Sequence, residues 1–226
     1  MNRKKFLRKG AWGLSSIFAI PSVLGAGCEE GNVDPSSCNV MPNETAGPFT
    51  IKSPADWVRE NIIGDRSGIP LMMTFIVQNT NDNCAPLADV YVDVWHCDAK
   101  GNYSEYEGQL DGDFTNEHFL RGRQKTNANG TASFISIYPG WYPGRAPHIH
   151  IEVLDSNENS LLVSQVAFPE NISNEVYATS DYKGAFDTSN ERDGSFRDSL
   201  SQNIVDTIGG NITDGYTINK IVKVAG

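Results

Sequence analysis

Between residues 71 and 224 the chain breaks into short runs of β-branched and aromatic residues, with Gly, Pro, Asn and Asp between them. These runs are Leu71–Val77, Val90–Trp95, Thr131–Tyr138, His148–Leu154, Leu161–Phe168 and Tyr216–Val224. In the second, Val90, Val92 and Val94 alternate with Tyr91, Asp93 and Trp95, the period of a half-buried strand. Thr131–Tyr138 follows the turn signal Asn129-Gly130. Runs of this length and density imply an all-β fold, a β-sandwich with long connecting loops and few short helices. Helical periodicity is thin and is confined to Pro54–Asn61, Asn174–Tyr177 and Phe196–Val205. The stretch Tyr182–Arg197 has little apolar content and reads as a surface loop. No internal repeat or low-complexity linker interrupts residues 45–226, which read as one domain.

Composition narrows the function. With 39% hydrophobic residues among 226, the chain can bury a sizeable core. Its formal net charge is −10, and five of its 18 basic residues fall within the first 27 positions, which hold no acidic residue. The remaining body is therefore strongly acidic and repels nucleic acid. Beyond the start of the chain no apolar run is long enough to span a bilayer, which excludes a multi-pass membrane protein.

Met1–Gly10 is basic, Ala11–Leu24 is mostly apolar, and Gly25-Ala26-Gly27-Cys28 follows. Residues 1–27 thus have the layout of an export signal. The stretch NRKKFLRK is similar to a twin-arginine signal with Lys4 replacing the second Arg. Cys28 resembles a lipoprotein cleavage site, with Leu24 one position earlier than usual. The expectation is an exported protein, periplasmic or at the cell surface, with a lipid anchor on Cys28. Residues 28–44 form a polar arm. In an oxidising compartment cysteines pair. Cys97 falls in a predicted strand and Cys38 and Cys84 in polar, loop-like sequence, so a Cys38–Cys84 disulfide is expected.

Two of the four histidines form His148-Ile149-His150. Side chains at i and i+2 of a strand share a face, so both imidazoles can reach one metal ion. The same pattern also suits an exposed or hydrogen-bonded His pair on a polar sheet face. Upstream, IYPGWYPGRAP brings Tyr138, Trp141, Tyr142 and Arg145 onto a loop stiffened by Pro and Gly. Earlier still, VDVWHCDAKGNYS ends a strand in a Gly-containing turn that presents Tyr103. A phenolate oxygen is a hard anionic ligand suited to ferric iron.

Together VDVWHCDAKGNYS, FLRGRQKTNANG and YPGWYPGRAPHIH resemble the intradiol ring-cleavage dioxygenases. The resemblance runs from Thr45 to Phe168, beginning with ETAGPF and ending with SQVAF. It implies a β-sandwich enzyme holding one non-haem Fe(III) through Tyr103, Tyr142, His148 and His150. Tyr138 competes with Tyr142, but Tyr142-Pro143 matches the family pattern better. Arg145 matches the Arg preceding the paired His, and Gln165 corresponds to an active-site Gln. The loop from Tyr142 to His148 is shorter than in well-known members, which bears on pocket shape. The implied partners are a small-molecule catechol and O2, with no nucleic acid and with room for a homo-oligomer. The implied reaction cleaves the ring between its two hydroxyl-bearing carbons and gives a muconate-type dicarboxylic acid.

Other residues carry plainer expectations. His96 reads as a supporting or structural residue, and His118 as solvated. Asp93 and Asp98 support a turn or stand exposed; Arg121 and Arg123 line the pocket, lie at the surface or are structural. Three competing functions fit parts of the chain. A non-catalytic β-sandwich module would stack sugar on Trp141 and its Tyr neighbours. A cupin-like site would use His148, His150 and Glu152, but needs a later His that the chain lacks. A zinc hydrolase would require a carboxylate or Cys as third ligand.

Overall fold

The computed structural model describes residues 38–226; the expected export signal, Cys28 and the start of the arm lie outside the described residues. There the alternating runs become strands of two sheets. In the first, β1 (Pro70–Asn79) pairs antiparallel with β2 (Ala85–Pro86) and β5 (Thr131–Ile137), and parallel with β9 (Gly215–Val224). The edge strand β8 (Thr207–Asn211) lies against β9. The parallel β1–β9 pair joins nearly the two ends of the described chain, so most of the sequence lies in the crossover between them. The second sheet has the order β4 (Arg121–Lys125), β3 (Tyr91–Trp95), β6 (His148–Leu154), β7 (Ser160–Ala167).

The sheets enclose one core. Leu71, Met73, Phe75, Val77, Phe134, Ile218 and Val222 from the first sheet join Val92, Val94, Ile149, Ile151, Val153 and Val166 from the second. Burial of a large aliphatic or aromatic side chain contributes roughly 1.5–3 kcal/mol. Met41 N donates to Lys223 O on β9 at 2.9 Å and Glu44 N to Val163 O on β7 at 2.9 Å, so this segment passes from one sheet to the other. The Cys38–Cys84 disulfide is formed, and Cys97 is free and buried.

Helix is as sparse as expected, but its limits differ. Pro54–Asn61 yields only a 3-10 turn at Pro54–Trp57, because Val58 leaves the helical region. α1 spans Glu170–Tyr177, starting earlier than its apolar pattern, and α2 is the single turn Leu200–Asn203. Among the described residues no helix is long and apolar enough to cross a membrane. The largest difference is in Tyr182–Arg197. Its backbone is irregular, yet Tyr182, Asn190, Asp193 and Phe196 are buried. They pack under a loop because three of them carry polar groups that find partners there: Tyr182 Oη donates to Tyr138 O, Asn190 Nδ2 to Phe168 O, and Asp193 accepts from Arg145.

Candidate active site

The second sheet turns Ile149, Ile151 and Val153 toward the core, which leaves His148 and His150 on its other face. Register sets their neighbours: His150 lies opposite Trp95 on β3 and Gln165 on β7, and Trp95 lies opposite Arg121 on β4. One row of side chains, Arg121–Trp95–His150–Gln165, therefore crosses all four strands. This face is dry, since all four residues are buried. Trp95 stacks on His150 with ring centroids 5.1 Å apart and planes 3° from parallel. The sequence pattern showed Trp95 as a strand residue and did not single it out as support for His150.

The two imidazoles converge. His148 Nδ1 lies 2.6 Å from Ala146 O, a carbonyl that can only accept, so this nitrogen carries the proton. His148 Nε2 then presents its lone pair to His150 Nε2 at 3.1 Å and to Tyr142 Oη at 3.2 Å. Tyr103 is buried, its ring 5.8 Å from that of Tyr142 and 6.2 Å from that of His150. Its hydroxyl has no hydrogen-bond partner. A buried, orphaned hydroxyl is costly unless a ligand satisfies it.

Local structure explains how Tyr103 reaches this place. Gly101 has φ 91°, and a Cβ there would meet Trp141 O at 2.4 Å, so this turn requires Gly. Asp98 Oδ1 accepts from Lys100 N and Asn102 N, each at 2.9 Å, and closes the turn. Beyond it, Arg121 Nε donates to Ser104 Oγ at 2.8 Å and Arg121 also bonds Phe49 O. Phe49 stacks on Tyr103 at 4.9 Å. Arg121 is thus a structural clamp, and Arg123 is another, paired with Asp93 at 2.6 Å. Asn102, Tyr103 and Ser104 are all buried. Gly47 closes the site's edge; a Cβ there would sit 3.2 Å from His150 Cε1.

Arg145 and Gln165 join the cluster. The Arg145 guanidinium donates to Asp193 Oδ2 at 2.9 Å, to Tyr142 Oη at 3.3 Å and to Gln165 Oε1. Gln165 Nε2 is held in turn by Thr45 O at 2.7 Å. Tyr138 lies elsewhere: its hydroxyl bonds Ser173 within the core, which leaves Tyr142 as the loop phenol at the site. His96 is structural, bonded to Cys97 O and Ser136 Oγ. His118 is only partly exposed, because it stacks on Trp57 and pairs with Glu105 at 3.1 Å.

Burial sets the protonation of the candidate donors. Burial, then the Arg145 charge, pulls His148 down to about 3, and burial with neighbouring His148 holds His150 well below its usual range. Both imidazoles are therefore neutral, each with one ring-nitrogen lone pair that a metal could take. Burial raises both phenols, and at Tyr142 the Arg145 charge partly offsets this. Among the described residues no three His, Cys, Asp or Glu side chains gather as a metal site. The donors gathered here are two nitrogens and two phenol oxygens, a set that fits a hard, highly charged cation able to ionise phenols.

Comparison with known proteins gives the family. Residues 47–181 match a family model described as dioxygenase. Over 113 residues the chain is 31% identical to the protocatechuate 3,4-dioxygenase beta chain of Burkholderia cepacia, covering 46% of this chain and 48% of that protein. The chain thus spans about half the length of that curated relative. An intradiol ring-cleavage dioxygenase from Tetranychus urticae superposes with a TM-score of 0.73 at 30% identity, covering 83% of this chain and 95% of that one. The 3-chlorocatechol 1,2-dioxygenase of Rhodococcus opacus 1CP, at 19% identity and a TM-score of 0.57, covers 81% of this chain and 71% of its own, and shares the fold. The chain belongs to the intradiol ring-cleavage dioxygenases.

Proposed function

We propose that the protein is an Fe(III)-dependent dioxygenase that cleaves a catechol between its hydroxyl-bearing carbons. Both atoms of O2 enter the product, a muconate-type dicarboxylic acid. The observation that carries this reading is the convergence of His148 Nε2, His150 Nε2 and Tyr142 Oη beside the orphaned Tyr103 Oη. These four residues would hold the ion. Bound there, ferric iron would supply the Lewis acidity that ionises phenols and makes a catecholate reactive toward O2.

The residues divide the remaining work. Tyr103 is buried and fixed on both flanks, so it stays in place. Tyr142 is partly exposed and touches Arg145, so its oxygen is the one that can leave and take up a catechol proton. Arg145 keeps a fixed positive charge where anionic character develops. Gln165, tied to Arg145 and Thr45, orients groups derived from O2. Trp95, Phe49 and Gly47 exclude water around His150 and Tyr103.

The test is iron loading followed by a catechol panel. The loaded protein should be reddish, with a visible phenolate-to-iron band that shifts when a catechol is added without O2. With O2 the product should be the muconate-type acid. A colourless protein that holds stoichiometric zinc and refuses iron would overturn the proposal. A binding module stacking sugar on Trp141 is disfavoured, because the Trp141 indole N–H is committed to Gly184 O at 2.9 Å and Lys183 sits over its ring.

We also infer export, with a lipid on Cys28 and assembly as a homo-oligomer. The basic start, apolar run and small residues before Cys28 support export. Mass spectrometry of the mature N-terminus in the native host should find the first 27 residues removed; an intact Met1 in the cytosol would contradict it.

A further inference from the structure

Asp193 lies between α1 and α2 with no exposed surface, in a stretch whose composition suggested a solvated loop. Its Oδ2 accepts from Arg145 Nε at 2.9 Å and from Ala146 N at 2.8 Å. Its Oδ1 accepts from Ser195 N at 2.9 Å. Ala146 matters beyond its N–H, because its carbonyl accepts from His148 Nδ1 at 2.6 Å. One carboxylate thus holds the guanidinium on one side and, on the other, the residue whose carbonyl sets the tautomer of His148.

We propose that Asp193 is a positioning residue for ring cleavage, acting through Arg145 and through Ala146. Arg145 is partly exposed, on a loop whose tip, Pro143-Gly144, is exposed. An arginine stem on such a loop has many rotamers to choose among. Fixing it needs a charged acceptor of matching geometry, and a charge-assisted bond of this kind is about twice as strong as a neutral one. Gln165 and Tyr142 take the other guanidinium nitrogens, but in the metal-free protein neither acceptor carries a charge to match the guanidinium. Burial works to raise the Asp193 carboxyl, yet the hydrogen bonds from Arg145, Ser195 and Ala146 outweigh it and keep the group below the usual carboxylate range. The same carboxylate links Arg145 to the His148 side of the site, so guanidinium and imidazole are placed together.

The catalytic part of this inference rests on the proposed dioxygenase function; the placement of Arg145 does not, and the experiment separates them. In metal-free protein, proton exchange at Arg145 Nε is followed by arginine side-chain NMR. It should be slow in the wild type and at least about tenfold faster in Asp193→Asn. In iron-loaded protein, Asp193→Asn should keep most of its iron and lower kcat about 10–100-fold, with a smaller change in KM. In an Arg145→Leu background the same substitution should cost much less, since the residue through which it mainly acts has gone. Fast exchange at Arg145 Nε in the wild type would overturn the proposal even if Asp193→Asn folds poorly. An equal loss of kcat in both backgrounds, or wild-type kcat in Asp193→Asn, would overturn it as well. Slow, Asp193-dependent exchange in a protein that cleaves no catechol would keep the placement and remove the dioxygenase reading.

Discussion

The two sheets share one core and differ in what covers their other faces. In the first, β1 and β9 alternate buried with less buried residues along nearly their whole length. In the second, β3 and β6 are buried on both faces over most of their length. Ile149 and Ile151 pack inward while His148 and His150 are equally buried on the outer face, beneath the loops. A wet face needs only to be polar. A dry face carrying imidazoles, guanidinium groups and carboxylates needs every polar group satisfied or committed to a ligand. The difference separates a sheet that stabilises from a sheet that also carries the candidate site.

Neighbouring residues along β6 should fail in different ways. His150→Ala removes a donor nitrogen and leaves the core untouched. Iron affinity should fall by more than about 100-fold, beyond the loss expected from a supporting residue alone. Iron content after loading and dialysis measures this, and full iron retention would show that the outer face is only a polar surface. Arg145→Leu should come next. Arg145 cannot bind a metal, having no free acceptor. Iron and colour should persist while kcat falls about 10²–10³-fold. Single-turnover kinetics read the step directly; loss of iron as complete as in His150→Ala would place Arg145 in the wrong role.

Those two faces were not equally legible. The alternating apolar runs of β1, β5 and β9 stand out because one side meets solvent. β4 escaped because its sequence, Arg121-Gly122-Arg123-Gln124-Lys125, has no apolar residue: its arginines are buried by pairing, and Gly122 is required where a Cβ would meet Ile62 at 2.5 Å. β8 escaped as a short, mostly exposed edge strand with two glycines. The pair His148 and His150 was visible through strand period alone, whereas Tyr103, Tyr142 and Arg145 were identified by motif resemblance. Asp193 had no such signal, since its partner is 48 residues away and its own surroundings are polar. Long-range pairing of polar groups leaves no periodic trace.

A smaller effect should come from the inner face of the same strand. Ile151 lies one residue beyond His150 and has no exposed surface. Ile151→Ala should destabilise the fold by about 2–5 kcal/mol through lost burial and the cavity left behind. Denaturant unfolding of metal-free protein gives the value. Iron affinity of the protein that remains folded should stay near wild type, because the donor atoms project from the opposite face. A simultaneous collapse of stability and iron binding would mean that the two faces are not separable.

The smallest effect belongs to the first sheet's outer face. Thr217 on β9 is exposed, while Tyr216 and Ile218 on either side are buried. Thr217 pairs across to Met72 on β1 and Gly209 on β8 through backbone register, which Ala preserves. The substitution Thr217→Ala removes only a solvated hydroxyl and a methyl group with moderate strand preference. The change in unfolding free energy should stay within about 0.5 kcal/mol. Iron content and turnover should not change, since the residue lies on the sheet that carries no site residue. Denaturation curves with matched slopes provide the measurement. A loss above about 2 kcal/mol, the scale of core truncation, would show that this face too is covered and that wet and dry sheets are not the real distinction.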